Sequence, residues 1–214
     1  MQRLTEELIE AGWAGRVVSQ AQLARLLDGT PQRRYNLVNR ALRHGELLLL
    51  RRGLYLLARA RQGATPHPFV LAQALRPGSY VSFEAALSYH GWIPESVPVT
   101  LSVSPGRRRM TVDHAELGVF RFFPLALRPG HFLEEVDRVA FAEQIALVAE
   151  PLRALTDLIC LRKLEADGVS SLIRSMRIDP ERLKRTRAAA WRTLEGLYAH
   201  KRMVIAIHAL REMA

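Results

Sequence analysis

The stretch Ser79–Glu95, SYVSFEAALSYHGWIPE, sets serine hydroxyls at 79, 82 and 88, a carboxylate at Glu84 and an imidazole at His90 within one short segment. Those side chains are the parts of a nucleophile, base and acid set for acyl transfer, in which a histidine takes the proton of a serine and a carboxylate orients the histidine. The spacing favours architecture instead. No G-x-S-x-G elbow is present to lift a serine out of a strand-to-helix turn. Ser82 stands where a helix N-cap is expected, and Glu84 falls in the first turn, where a negative charge favours the helix dipole. Gly91 is a natural stop, and Pro94 follows at the usual distance. His90 near a helix C-terminus interacts well with the last carbonyls, and Ser88 has no local task.

Spacing also speaks against other chemistries. None of the 13 glycines stand two apart, so no G-x-G-x-x-G or Walker A loop exists. The seven histidines include no H-x-x-x-H pair, no D-x-D occurs, and no acid-rich loop resembles an EF-hand. No Lys follows two residues after an acid, as a restriction-type nuclease site commonly requires. Cys160 is the only cysteine, which excludes an internal disulfide and a cysteine-rich zinc module, and it reads as a buried small apolar side chain. The expectation is a protein without catalytic residues, metal or cofactor.

The elements that could position a binding surface lie at the N-terminus. The chain has a formal net charge of +10, unevenly spread: residues 1–62 carry net +6, residues 63–150 net −2 and residues 151–214 net +6. Such polarity favours a polyanionic partner bound by the ends of the chain. A first helix is expected over Leu4–Trp13. Ser19 and Gln22 form a capping box for a second helix with apolar Leu23, Leu26 and Leu27, ending near Asp28-Gly29. Thr30 then caps a third helix with Pro31 at its first position. On that helix Tyr35, Val38 and Leu42 fall to one side with Ala41 beside them, and Arg33, Asn36, Arg40 and Arg43 fall together opposite. Leu47–Leu50 and Leu54–Leu57 form a hairpin with Arg51-Arg52-Gly53 at its tip. Helix, helix, turn, helix, hairpin is the order of a winged helix-turn-helix. Arginine can read guanine and asparagine adenine in the major groove, while a cationic hairpin tip meets phosphates.

Residues 59–68 read as a linker rich in Ala, Gly and Pro. Beyond it, 69–75 and 82–92 look helical and 97–103 and 119–125 strand-like, with PGRRR at 105–109 as the turn between them. From Glu143 onward helices are expected: a segment through 151–166, one from Ser170, a long one opening at Asp179-Pro180 and one near the C-terminus. The fold class is therefore α+β. A winged helix-turn-helix domain over 1–62 is followed by a second domain over 63–214, mixed α/β to about 150 and helical beyond.

These motifs in this order, a winged helix with RRGLYLL, then PGSYVSFEAALSYHGWIPE, VTLSVSPGRRR and VAEPLRALTDLI, resemble the AbiEi antitoxins. These are transcriptional regulators of type IV abortive-infection toxin–antitoxin systems. The similarity runs over about Gln20–Lys163. It implies an N-terminal domain that binds operator repeats in double-stranded DNA of its own promoter and represses the operon, and a second domain that opposes a nucleotidyltransferase-type toxin. By that resemblance Arg33, Asn36, Arg40 and Arg43 would read DNA, and Arg34, Arg51 and Arg52 would hold its backbone. The family has no catalytic residue to carry over. Arg107, Arg108, Arg109 and His90 are candidates for partner or nucleic-acid contact, as are the basic C-terminal residues Arg182, Lys184, Arg185, Arg187 and Arg192. Two other classes fit the same composition: a winged-helix nucleic-acid-processing enzyme with a nuclease-like second domain, and a regulator with no toxin partner.

No run approaches the roughly 18 apolar residues of a membrane helix. The N-terminus, MQRLTEELIEAGW, carries acids at helical period, unlike a signal peptide. A cytoplasmic protein without a membrane partner is expected.

Overall fold

In a computed structural model, which describes residues 3–58 and 65–214, the backbone contacts divide the chain into two units, Met1–Leu75 and Arg76–Ala214. The expected boundary at 62/63 and most of the linker expected at 59–68 lie outside the described residues. Together the units form an α+β protein with two sheets.

The first unit comprises α1 (Arg3–Glu10), β1 (Val18–Ser19), α2 (Gln20–Leu26), α3 (Pro31–Arg43), β2 (Leu47–Arg51), β3 (Leu54–Leu57) and α4 (Pro68–Leu75). Local chemistry sets its boundaries. The Gln22 amide donates to Ser19 Oγ at 3.2 Å and the Ser19 amide to Gln22 Oε1 at 2.8 Å, closing the capping box that starts α2. The Arg33 amide donates to Thr30 Oγ1 at 3.3 Å, and Pro31 occupies the first turn of α3. Leu4 and Leu8 of α1, Leu23, Val38, Ala41 and the strand residues Leu47 and Leu57 build one apolar core. Beside it, buried Thr5 donates to the Glu46 carboxylate and joins α1 to the exit of α3. The sheet has order β1-β3-β2 and is antiparallel throughout. The two-residue strand β1 adds to the expected elements, and α1 ends at Glu10, short of Trp13.

The second unit is built on a six-stranded mixed sheet with order β6-β7-β5-β4-β9-β8. Its strands are β4 (Tyr80–Val81), β5 (Val99–Val103), β6 (Met110–His114), β7 (Gly118–Phe123), β8 (Val136–Phe141) and β9 (Gln144–Ala149). Its helices are α5 (Phe83–Tyr89), α6 (Pro151–Arg162), α7 (Ala166–Ser175), α8 (Pro180–Lys184), α9 (Ala188–Leu197) and α10 (Lys201–Glu212). Four expectations need correction. The 105–109 turn joins β5 to β6, not to β7; β5 and β7 pair in parallel with the β6–β7 hairpin alongside. Helix does not begin at 143, because 144–149 is strand β9, hairpinned to β8 through Ala142 at φ 52°. The helix expected from Ser170 starts at Ala166. The long helix expected at Asp179-Pro180 is two, α8 and α9, with Arg185 and Arg187 at the break.

Candidate nucleic-acid interface

The Gly29 turn aims α3. Gly29 adopts φ +100°, and a Cβ there would stand 2.8 Å from Cδ of Arg33, whose side chain lies back over the turn. Arg34 Nη1 donates to the Gly29 carbonyl at 2.8 Å and ties the first turn of α3 to the loop it leaves. Along the outer side, Asn36 Oδ1 accepts from Gln32 Nε2 at 3.1 Å, and Arg43 Nε donates to the Asn39 carbonyl at 3.3 Å. Arg33, Asn36, Arg40 and Arg43 are all exposed, and Arg40 has no side-chain partner among the described residues.

The apolar face of α3 is rotated from its expected position. Ala41 is fully buried and Val38 9 % exposed, whereas Tyr35 is 63 % exposed. Ala41 and Val38 lie about 60° apart on the helical wheel and centre the inward stripe. Tyr35, on the far side of Val38, is carried to the border of the polar face. The outward face therefore presents Gln32, Tyr35, Asn36, Arg40 and Arg43, and sequence reasoning misses Gln32 and Tyr35 because a tyrosine at helical spacing from Val38 reads as core. Amide, guanidinium and phenol groups on one face can bond base edges and phosphates.

The hairpin tip is as expected. Arg51 ends β2, exposed Arg52 leads the turn, and Gly53 supplies φ +78°. The Gly53 carbonyl accepts from the Gln20 amide at 2.8 Å, which fixes the basic tip to the start of α2. Thus α3 and the Arg51-Arg52 tip belong to the same unit.

Arg107–Arg109 and His90 belong to the second unit, and the sheet separates them. Arg109 leads into β6 and lies 5.5 Å from the centroid of the Phe123 ring. His90 bonds to β9, and three strands stand between β6 and β9, which at about 4.8 Å per strand is roughly 19 Å. Arg107 and Arg108 are exposed.

In Ser79–Glu95 every side chain in question has a structural partner. Ser88 Oγ donates to the Glu95 carbonyl at 2.7 Å and closes the loop after α5, and Glu84 pairs with Arg162 at 2.6 Å. His90 Nε2 lies 3.0 Å from the Ala149 carbonyl, to which it donates as the Nε2–H tautomer. Neither Ser82 nor Ser88 bonds to His90. Ser82 holds the N-cap position of α5 but makes no capping bond. Phe83 takes φ 57°, a strained value for a bulky residue, and the Ser82 hydroxyl donates to Asp157 Oδ2 at 2.8 Å.

Asp157 is the centre of a buried polar cluster that sequence reasoning missed. It accepts from Arg153 Nε at 2.9 Å, Tyr80 Oη at 3.0 Å and Tyr198 Oη at 2.8 Å as well as from Ser82. Arg153 donates further to the Glu134 carbonyl and to Tyr80 Oη, and its guanidinium lies 5.1 Å from the Tyr80 ring centroid. Arg153 and Asp157 side chains are both 0 % exposed. Burial lowers the pKa of Arg153, but Asp157, Tyr198 and Tyr80 outweigh it and hold the guanidinium above its ordinary value. Burial, followed by the charge of Asp157, pushes both tyrosines well above the ordinary phenol range. Burial likewise raises the Cys160 thiol to about 11, which leaves it protonated. The i,i+4 spacing of Arg153 and Asp157 was the one available signal. Its reach to β4 and α9 was not legible.

Burial lowers the pKa of His90. A lowered imidazole pKa means that the folded chain binds fewer protons than the unfolded chain, whose histidine titrates near 6.5. The stability it contributes is present above that value and is lost as pH falls through the folded pKa. His90→Gln, which keeps a donor for Ala149, should flatten the fall in melting temperature between pH 7 and pH 5 in a thermal scan; an unchanged slope would refute this role.

Among the described residues no group of three His, Cys, Asp or Glu side chains is placed to hold a metal ion, and no helix is long and apolar enough to cross a membrane. The chain matches no protein-family model and no curated protein.

Proposed function

We propose that the chain is a DNA-binding transcriptional repressor whose first unit acts as a winged helix-turn-helix, with α3 reading the major groove and the β2–β3 hairpin as the wing. The observation that carries this reading is the outward face of α3, where Asn36, Arg40 and Arg43 are exposed in the same unit as the Arg51-Arg52 tip. Guanidinium and carboxamide groups on one helix supply bidentate donors and acceptors for guanine and adenine, and the tip supplies charge for the flanking phosphates. The resemblance in motif order to AbiEi antitoxins extends the proposal. The repressor controls its own operon through operator repeats, and the second unit opposes a nucleotidyltransferase-type toxin encoded beside it.

The test is fluorescence anisotropy with a duplex from the chain's own upstream region against a scrambled duplex of equal length. The upstream duplex should bind at least tenfold more tightly, and log K should fall linearly with log salt, with a slope that counts the phosphates neutralised. Equal binding of both duplexes would end the proposal. The antitoxin role is tested separately: co-expression should restore growth of cells made to express the adjacent nucleotidyltransferase, and failure to do so while promoter binding persists leaves a repressor alone.

A further inference from the structure

We propose that the second unit carries a binding site for a nucleoside phosphate in the cleft between Trp92, the start of α6 and the α8–α9 break. The inference does not depend on DNA binding by the first unit. The cleft measures about 480 Å³, within the size range of small-ligand sites. Arg182, Arg185, Arg187 and Trp92 are among the residues that line it.

Two carboxylates, Glu150 and Asp179, also line the cleft, and both are already engaged. Glu150 pairs with Arg187 through both oxygens, at 3.0 and 3.1 Å. It therefore serves that arginine and makes no capping bond to the amides of α6. Asp179 caps α8 by accepting from the Glu181 amide at 3.0 Å, and Glu181 pairs with Lys184 at 2.6 Å. Arg182 and Arg185 are left exposed with no side-chain partner among the described residues, and three positions apart they project to one side of the same helical turn. Two unpaired guanidiniums beside a cleft are suited to a phosphate, which accepts paired N–H bonds. The indole supplies a flat apolar face on which a base stacks. Phosphate and aromatic ring together specify a nucleoside phosphate in preference to either part.

Isothermal titration calorimetry of the full chain with ADP, adenosine and inorganic phosphate separates these parts. ADP should bind at least tenfold more tightly than either fragment and quench tryptophan emission. Arg182→Ala and Arg185→Ala should each weaken ADP at least fivefold. Both side chains are exposed, so the fold is kept, which a melting scan checks. Arg174→Ala removes an equal charge from the solvent face of α7 and should leave ADP binding unchanged. The proposal is overturned if ADP does not bind at millimolar concentration, if phosphate alone binds as tightly, or if Arg174→Ala weakens ADP as much as Arg185→Ala does.

Discussion

Asp157→Ala should destabilise the second unit by about 3–5 kcal/mol, the cost of leaving a buried cation without its partner. The consequence follows from the arrangement around Arg153. With Asp157 gone, the guanidinium keeps only the Glu134 carbonyl and Tyr80 Oη as acceptors in a site closed to water. The hydroxyls of Tyr80, Ser82 and Tyr198 lose their shared acceptor at the same time. Melting temperature should fall by roughly 6–20 °C for a unit of this size. Hydrogen exchange should rise first in α6 and β4, with α3 in the other unit as the internal reference. Asp157→Asn keeps the shape and two acceptor lone pairs but loses the charge, so it should fall between wild type and Ala. Arg153→Met combined with Asp157→Leu should recover the part of the loss due to the uncompensated cation, while the hydroxyls of Tyr80, Ser82 and Tyr198 stay without their shared acceptor. A fall below 1 kcal/mol for Asp157→Ala would show that the cluster does not hold the unit together.

The contrast between this cluster and the N-terminal elements explains what the sequence could reveal. Ser19, Gln22 and Thr30 act on groups three residues away and Pro31 on its own turn, so α2 and α3 were legible from spacing alone. Asp157 instead meets Ser82 and Tyr80 across 75 and 77 residues of chain, and no local pattern encodes that meeting. Of the strands missed in the second unit, β6 and β8 are the two edges of its sheet. MTVDH and VDRVAF have no buried residue and so lack the apolar run that marks a covered strand. β9 reads as helix because QIALVA runs almost directly into the apolar helix after Pro151, and a short apolar run does not choose between the two. On α3 the polar face was legible, but its border was not. Tyr35 sits where a turn of helix decides between core and surface, and the burial of Ala41 decides for surface.

That border bears on the second large effect. Arg40 stands exposed within the outward face of α3 with no side-chain partner among the described residues, so under the proposed reading, in which it bonds a guanine, Arg40→Ala should cost about 1–3 kcal/mol of operator affinity. On that reading the loss should fall mainly on operator DNA and should relax the preference at one base pair, because a base contact would be lost and not a backbone contact. In the same proposal Arg51→Ala and Arg52→Ala would act through phosphates. They should weaken operator and random duplexes alike and lower the salt slope by about one for each phosphate left unneutralised. Tyr35→Phe separates the two behaviours at the helix border: loss of the phenolic proton should follow the pattern of the tip arginines if the hydroxyl meets a phosphate, and that of Arg40 if it meets a base. The decisive comparison is between Arg40 and Arg52. Both variants remove one charge from an exposed position of the same unit, so general electrostatics predicts equal effects on every duplex, whereas a reading helix with a backbone-holding wing predicts a specificity change from the first alone. Equal losses on operator and random DNA for both variants would take base reading away from α3 and leave only a basic surface.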